Sequence, residues 1–256
     1  MSRLSGPCFP KPPRIRAVDF LLVTALTFAA CDAGDRPVPT VYPLPAPYAD
    51  IAIDYLPFEY LQDGCSQRAS YLGLELAVRG VVTIAVDAQT CDMGLGLRGP
   101  FGEPWRHHTV PAILGEGGVP QLIDPLASPG FLTLDAWLAG LTDDPVRVSL
   151  APIAYPTTHT PEAVCGTVET PIPPLPATLP DMTPWLLENV MSDCSTLRQF
   201  HRDSPVYDPA REARLIARTT ELVKAIQALG LLDESMNPGL MDRLALAPWC
   251  PDPVPK

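Results

Sequence analysis

The chain has 256 residues, of which 46% are hydrophobic, so it is long enough and apolar enough for a domain with a substantial core. Its net charge of −11 argues against a nucleic-acid partner, because proteins that bind nucleic acid neutralise phosphates with clustered Lys and Arg. The 33 prolines are about twice the usual share and predict long irregular connections.

The N-terminal 30 residues have the pattern of an export signal. Four basic residues within positions 3–16 precede an apolar stretch, residues 20–30, that is too short to span a bilayer as a permanent helix. Small residues stand directly before Cys31, as in a bacterial lipobox, so we predict cleavage there and lipidation of the Cys31 thiol. The alternative is a secreted protein in which Cys31 is incidental. Cleavage removes four basic groups and one acidic group, which leaves a net charge of −14.

Composition divides the remaining chain into three parts. Residues 31–55 are rich in Pro and Ala and predict an extended tether between lipid and domain. Residues 56–205 are expected to fold as the main domain, and residues 206–256 as a C-terminal helical extension.

A glycine bend introduces the first predicted helix. Gly64 suits a sharp turn, and apolar periodicity predicts a helix over residues 66–80 that ends at Gly80. Cys65 therefore lies at or next to the first turn, where exposed N–H groups favour a thiolate. The alternative is a structural cysteine that caps the helix or forms a disulfide.

Three short runs predict strands, two of which form a hairpin. Pro111 restricts one of them to an edge or irregular position, because proline has no N–H to donate. The hairpin places His108 and Asp124 on neighbouring antiparallel strands. The predicted strands cover residues 81–86, 105–114 and 119–123, and residues 87–104 are expected to form a loop around Cys91.

The second half of the chain is predicted to be mainly helical. Asp208 followed by proline favours a helix start, and an apolar stripe from Leu215 to Leu229 predicts a core-facing helix that ends at Gly230. His159 and His201 lie among polar residues, and we interpret both as solvated. The other predictions are helices at 133–141, 183–201 and 238–245, a strand at 146–150, and a proline-rich surface loop at 151–183 pinned by Cys165.

Seven cysteines suggest disulfides and one free thiol. Cys8 would leave with the signal and Cys31 would carry lipid. If Cys65 is free, the other four can form two disulfides in three possible ways. The spacing contains no CxxC and no Cys/His cluster, so no zinc site is expected.

Cys65, His108 and Asp124 have the residue types of a nucleophile, its base and the group that orients the base. Each also has an ordinary structural interpretation, since His108 could be a half-buried strand residue and Asp124 could simply start a turn. The adjacent His107 is a rival for the role of base. We predict His108, because it shares strand parity with Val110. Adjacent strand residues point to opposite faces, so only one of the two histidines is expected to meet Cys65.

Three motifs in order resemble those of the bacterial protein-glutamine glutaminase family, which belongs to the papain-like and transglutaminase-like cysteine enzymes. They are Asp-Gly-Cys with a following Arg-Ala at residues 63–69, Trp105 with two residues before His108, and an apolar pair before Asp-Pro at residues 122–125. The resemblance covers roughly residues 56–200. The tandem histidines, Thr109, Pro111 and the helices after residue 200 depart from the family pattern.

The resemblance implies an α+β fold with a papain-like or transglutaminase-like core, in which the nucleophile-bearing helix packs on an antiparallel sheet and extra helices follow. It implies deamidation of protein- or peptide-bound glutamine through a thioester on Cys65, with His108 and Asp124 as base and orienting group. No metal or cofactor is required. With the N-terminal signal, we expect a monomeric, membrane-anchored bacterial lipoprotein. The alternatives are a transglutaminase or peptidase on the same scaffold, and a non-enzymatic binding module.

Overall fold

Four helices and two sheets organise the computed structural model of the chain, which describes residues 38–91, 94–152, 165–169, 184–230, 239, 242 and 249–253. The helices are α1 (Cys65–Ala77), α2 (Leu134–Leu141), α3 (Pro184–Asp203) and α4 (Pro209–Ala228). The strands are β1 (Thr83–Thr90), β2 (Leu97–Arg98), β3 (Pro104–Trp105), β4 (His107–Leu114), β5 (Pro120–Leu122), β6 (Val146–Pro152) and β7 (Val168–Glu169). The larger sheet has the order β5-β4-β1-β6-β7, in which only β6 and β7 are parallel neighbours. The predicted mixed α+β class is confirmed, with four antiparallel strands.

The glycine bend before α1 is required by geometry on two counts. Gly64 has φ 90°, a conformation that residues with a Cβ rarely adopt. A Cβ at this position would also lie 2.5 Å from the ring of Phe200 in α3. Cys65 follows as the first helical residue, and the helix ends at Ala77, three residues before the predicted stop at Gly80.

Strand β1 is longer than predicted and occupies the centre of the larger sheet. It continues through residues 87–90, which were expected to begin a loop, and β2 and β3 also fall within that expected loop. The strand continues past the polar residues Asp87 and Gln89, because β4 and β6 provide hydrogen-bond partners for the β1 backbone on both sides. All eight residues of β1 are buried, so neither face of this strand is solvated.

Of the edge and irregular positions expected for the strand that contains Pro111, the edge is wrong, because β4 lies between β1 and β5. The carbonyl of Pro111 accepts a hydrogen bond from Ile123 N at 2.9 Å, on the side of β5. An antiparallel residue presents its nitrogen and its carbonyl to the same neighbour, so the missing N–H also faces this side. The β5 ladder pairs only residues 112–114, so the proline lies where that ladder has ended. The predicted hairpin itself is confirmed.

Much of the described part of the predicted tether packs into the domain, although Val38 and Val41 are exposed. Residues 38–256 form one compact unit, and the segment from residue 44 onward contributes side chains to the core. Tyr42 N also donates a hydrogen bond to the carbonyl of Pro125 at 2.8 Å. The segment is therefore a packed irregular part of the domain, although its proline content suggests a spacer. Its buried apolar residues are Leu44, Ile51, Ile53, Tyr55 and Leu56.

Helices α3 and α4 contribute side chains to the same core as α1. The Asp208 side chain caps α4 as predicted, by accepting from Ala210 N at 2.8 Å. Leu215 and Leu222 lie on its buried stripe, whereas Leu229 is exposed. Among the described residues, no helix combines the length and apolar content needed to cross a membrane. The predicted helix at 238–245, apart from residues 239 and 242, and the position of His159 lie outside the described residues.

The interpretation of His201 as solvated is wrong. This residue lies on α3, is fully buried, and its Nε2 lies 2.8 Å from the carbonyl oxygen of Tyr55. Burial lowers the pKa of His201. Polar neighbours in sequence point away from the core on a helix, so they do not report the environment of one inward-facing residue.

Two disulfides fix one of the three pairings that the sequence left open. Cys91 pairs with Cys165, and Cys194 pairs with Cys250. Cys65 is the free cysteine among the described residues. Cys165 thus pins the proline-rich region that follows β6, as predicted.

Replacing both Cys194 and Cys250 with alanine is expected to lower the free energy of unfolding by about 2–4 kcal/mol, because the bond closes a long loop in the unfolded chain. The Cys194–Cys250 disulfide also holds the C-terminal segment in place, where Arg198 Nη1 donates to the Cys250 carbonyl at 3.0 Å. Urea unfolding measures the change. An unfolding midpoint equal to that of the unmodified protein would contradict this expectation.

Candidate active site

Cys65 lies at the start of α1 with its side chain largely buried, at 8% exposure. The preceding glycine has no side chain to cap the helix, so no N-cap side chain competes for the first N–H groups. The positive end of the helix therefore faces the sulfur region and favours an anion there. Within the described residues Cys65 forms no disulfide, because the other four described cysteines pair with one another.

His108 and Asp124 form the buried polar pair that the hairpin was predicted to bring together. His108 Nε2 lies 2.9 Å from Asp124 Oδ2, and both side chains are less than 5% exposed. The other carboxylate oxygen of Asp124 accepts from Leu126 N at 3.0 Å. Asp124 thus starts the turn after β5 and orients the histidine as well.

A tryptophan on α2 completes the support of this pair. Trp137 Nε1 donates to Asp124 Oδ2 at 3.0 Å, and its ring centroid lies 5.6 Å from that of His108. Trp105 flanks the imidazole at 4.7 Å, and its own Nε1 donates to the Leu61 carbonyl at 2.9 Å. The sequence gives no sign of this contact, since an aromatic residue on a predicted helix does not reveal its hydrogen-bond partner.

Both tandem histidines interact with the thiol of Cys65. Burial disfavours the thiolate, but the imidazoles of His107 and His108 outweigh burial and lower the pKa of Cys65 to about 5. The expectation that only one of two adjacent strand residues can reach Cys65 is therefore wrong. His107 opens β4, and alternation of side chains is a weak constraint at the end of a strand beside the start of α1.

The histidines are held in their charged forms by different partners. Burial lowers the pKa of His108, but the Asp124 carboxylate and the Cys65 thiolate raise it to about 9. For His107, the Cys65 thiolate is the main cause that raises its pKa to about 9. Burial raises the pKa of Asp124, but the charge and hydrogen bond of His108, together with the hydrogen bonds from Trp137 and Leu126, lower it overall. The resting site is thus a thiolate accompanied by imidazolium groups at neutral pH.

Arg68 holds the loop that leads to Cys65. Its Nη1 donates to the carbonyls of Pro57, Tyr60 and Asp63 at 3.2, 3.0 and 3.1 Å. The guanidinium is buried, and burial lowers its pKa, while the negative charges of Cys65 and other nearby groups oppose this effect. Arg68 therefore ties the loop before α1 and places a positive charge one helical turn from the sulfur. Its position in the Arg-Ala part of the motif was visible in the sequence, but these contacts were not.

A cleft of about 230 Å³ connects the site to solvent. Its walls are the loop at residues 61–63, the start of α1, Leu95, and residues 104–108. His107 is exposed in this cleft, whereas His108 is 3% exposed. The cleft therefore presents Cys65 to a ligand with one imidazole on the open side and one on the buried side.

The geometry gives all three predicted residues a common site. Cys65, His108 and Asp124 line one small cavity, and His108 is paired with Asp124, while Cys31 lies outside the described residues. Their side chains are of the types that can serve as nucleophile, base and orienting carboxylate. No protein-family model, curated protein or solved structure matches this chain.

Proposed function

We propose that the protein is a cysteine hydrolase that deamidates glutamine in proteins or peptides, releasing ammonia through a thioester on Cys65. The observation that carries this proposal is the Cys65 thiolate, whose pKa is about 5, beside the His108–Asp124 pair. A lowered thiol pKa at an accessible cleft is typical of a nucleophilic cysteine and not of a structural one.

The depth of the sulfur favours a side-chain amide over a peptide bond as the substrate. Cys65 is largely buried at the base of a cleft of about 230 Å³. A glutamine side chain extends its carboxamide away from the backbone and can reach such a depth. A peptide bond lies within the main chain, which is wider than a single extended side chain, and Trp105 and the loop at residues 61–63 line the same cleft. The geometry thus supports a deamidase more than a peptidase.

The mechanism follows from the roles of these groups. The thiolate attacks the carboxamide carbon, and the backbone N–H of Cys65, at the start of α1, is available to stabilise the oxyanion. The His108 imidazolium gives its proton to the departing ammonia. The neutral imidazole then takes a proton from water as the water attacks the thioester, and glutamate leaves with the thiolate restored. Asp124 keeps the ring oriented throughout.

We also propose a papain-like or transglutaminase-like core. The support is that the cysteine begins α1, that α1 packs against β4 and β1, and that the histidine and aspartate belong to the adjoining hairpin. The combination of motif order and side-chain pairing favours this family over an unrelated α+β fold.

Ammonia release from a glutamine-rich protein tests the proposed function. Purified protein is expected to release ammonia in proportion to the glutamate formed, and the same assay with an added primary amine distinguishes transfer from hydrolysis. Ammonia release with the amine incorporated in place of water would assign a transglutaminase. No ammonia release from any glutamine-containing substrate by folded protein would refute the proposal.

The value of kcat/KM is expected to be high between about pH 5 and about pH 9, from the pKa values of Cys65 and of the two histidines. Below this range the thiolate is protonated, so activity rises with pH; above it the imidazolium that protonates ammonia is lost, so activity falls. A pH series of kcat/KM measures both limbs. An acid limb near about pH 8.5, the pKa of an ordinary thiol, would contradict the proposed ion pair.

We further propose that the protein is exported and anchored through lipid on Cys31. Two disulfides in the domain support an oxidising compartment. Changing Cys31 to Ser is expected to move the protein from the detergent-extracted membrane fraction to the soluble fraction, because stable anchoring depends on the combined burial of two or more acyl chains. The Cys65 chemistry should be unchanged. If the mass spectrum of the protein that retains Cys31 shows an N-terminus without lipid, the result would indicate a secreted enzyme.

A further inference from the structure

We infer that His107 is a second catalytic imidazole, which contacts the Cys65 thiolate from the open side of the cleft and stabilises it independently of the His108–Asp124 pair. This inference rests on the proposed function for its place in the reaction. The contact with the thiol can be tested without any substrate.

The two histidines occupy unlike positions around the same sulfur. They are consecutive at the start of β4, and both line the cleft that contains Cys65. His108 is buried and its Nε2 is engaged by Asp124 at 2.9 Å. His107 is exposed, at a position in register with Gln89 of β1. His108 is therefore fixed from behind, while His107 is open to solvent and to a bound ligand.

The two histidine rings also differ in the charged group that holds their proton. The main group that holds a proton on His107 is the Cys65 thiolate, whereas His108 is held first by Asp124. The positive charge of His107 therefore depends on the Cys65 thiolate, and the lowered pKa of the Cys65 thiol depends in turn on both imidazole rings. The charged or titratable groups around these three residues are Asp63, Arg68, Arg106, Asp87 of β1, and Asp124 after β5.

Two imidazolium groups permit a division of roles. During acylation, the S–C bond forms, the C–N bond breaks, and ammonia leaves with a proton from His108. His107 takes no part in these proton transfers and lies beside the new thioester. During deacylation, water loses a proton to His108, its oxygen forms the new C–O bond, the S–C bond breaks, and the returning thiolate again has His107 as a neighbour. An imidazolium at this position stabilises the sulfur as its negative charge returns in the second half of the cycle.

Alkylation of Cys65 by iodoacetamide as a function of pH tests this inference in the full chain. His107→Gln is expected to raise the alkylation midpoint by at least about one pH unit, since a neighbouring opposite charge shifts a pKa by this much. His108→Gln alone should leave the midpoint below that of an ordinary thiol. The double variant should raise it to about 8.5 or higher. His107 is exposed, so its replacement is expected to leave the fold intact, and circular dichroism checks each variant.

Arg106→Gln serves as the matched control, because it removes a positive charge from an exposed neighbour that lines the same cleft. This variant is expected to shift the alkylation midpoint much less than His107→Gln does. In Cys65→Ala, the pKa of the His107 ring measured by NMR titration should fall towards that of an ordinary histidine.

The inference is overturned if His107→Gln leaves the midpoint unchanged, if Arg106→Gln shifts it equally, or if His108→Gln alone restores an ordinary thiol. Alkylation requires no glutamine, so these outcomes are independent of whether the protein releases ammonia. If His107→Gln raises the alkylation midpoint as expected but the protein does not turn over glutamine, the proposed function is refuted and the inference about His107 is retained.

Discussion

Replacing Cys65 with alanine is expected to reduce glutamine turnover by a factor on the order of 10⁵, to the background of the assay. The thioester cannot form without the sulfur, and no other described cysteine is free to replace it. Alanine is small and apolar and fits the buried position at the start of α1, so the fold should be retained. Ammonia release and circular dichroism measured on one preparation separate loss of chemistry from loss of structure.

Ser66→Ala is a suitable control for Cys65→Ala, because it changes the next residue of the same helical turn. Its hydroxyl donates to Gln67 Oε1 at 3.1 Å and makes no contact with the histidines that the mechanism needs. Activity within a few-fold of the unmodified protein is expected. Retention of turnover in folded Cys65→Ala would show that another group performs the reaction.

Replacing His108 with alanine is expected to reduce kcat by a factor on the order of 10³ to 10⁴. The variant loses the group that gives a proton to ammonia and takes one from water, and it leaves Asp124 without its charged partner. The loss in His107→Ala should be far smaller at neutral pH, because His108 still carries the proton transfers and still lowers the pKa of Cys65. Side-by-side measurements of kcat and KM for the two variants test this difference.

A larger loss of kcat in His107→Ala than in His108→Ala would reverse the assignment of the base. Asp124→Asn provides a further check on that assignment. It keeps the shape of the buried site, but removes the negative charge that contributes to the raised pKa of His108. The alkaline limb of the activity profile should therefore move to lower pH in Asp124→Asn.

The bend and the hairpin could be predicted from sequence because their signals are local. Gly64 before an apolar periodic run indicated the start of a helix, and a glycine-rich turn between two apolar runs indicated antiparallel neighbours. These two local features are sufficient to predict that Cys65 begins α1 and that His108 meets Asp124. The structure adds the side-chain distance of 2.9 Å, which depends on packing against Trp137.

The features that sequence reasoning missed depend on contacts between distant parts of the chain. Leu44, Ile51 and Tyr55 are buried against helices that come far later, and their proline-rich surroundings carry no periodicity to reveal it. The disulfide pairing likewise depends on distances across the fold, such as the 5.2 Å between the Cα atoms of Cys194 and Cys250.

The second imidazole at the thiol was missed for a related reason. Strand alternation predicts opposite faces for adjacent side chains, but His107 stands at the first position of β4, next to the start of α1. Residues at the end of a strand are less constrained by the pleat than residues in its middle. A pair of histidines at a strand end beside a helix N-terminus is the sequence signal that would have suggested two contacts with the sulfur.

Hydrolysis of a glutamine-containing peptide in water enriched with heavy oxygen tests the central claim most directly. The proposed thioester is opened by water, so each glutamate formed by the unmodified protein should contain one heavy oxygen atom and be accompanied by one ammonia. Mass spectrometry should detect no labelled product with Cys65→Ala. Glutamine that remains unlabelled with the folded unmodified protein, or labelling that is equal in the two proteins, would contradict cysteine-dependent deamidation.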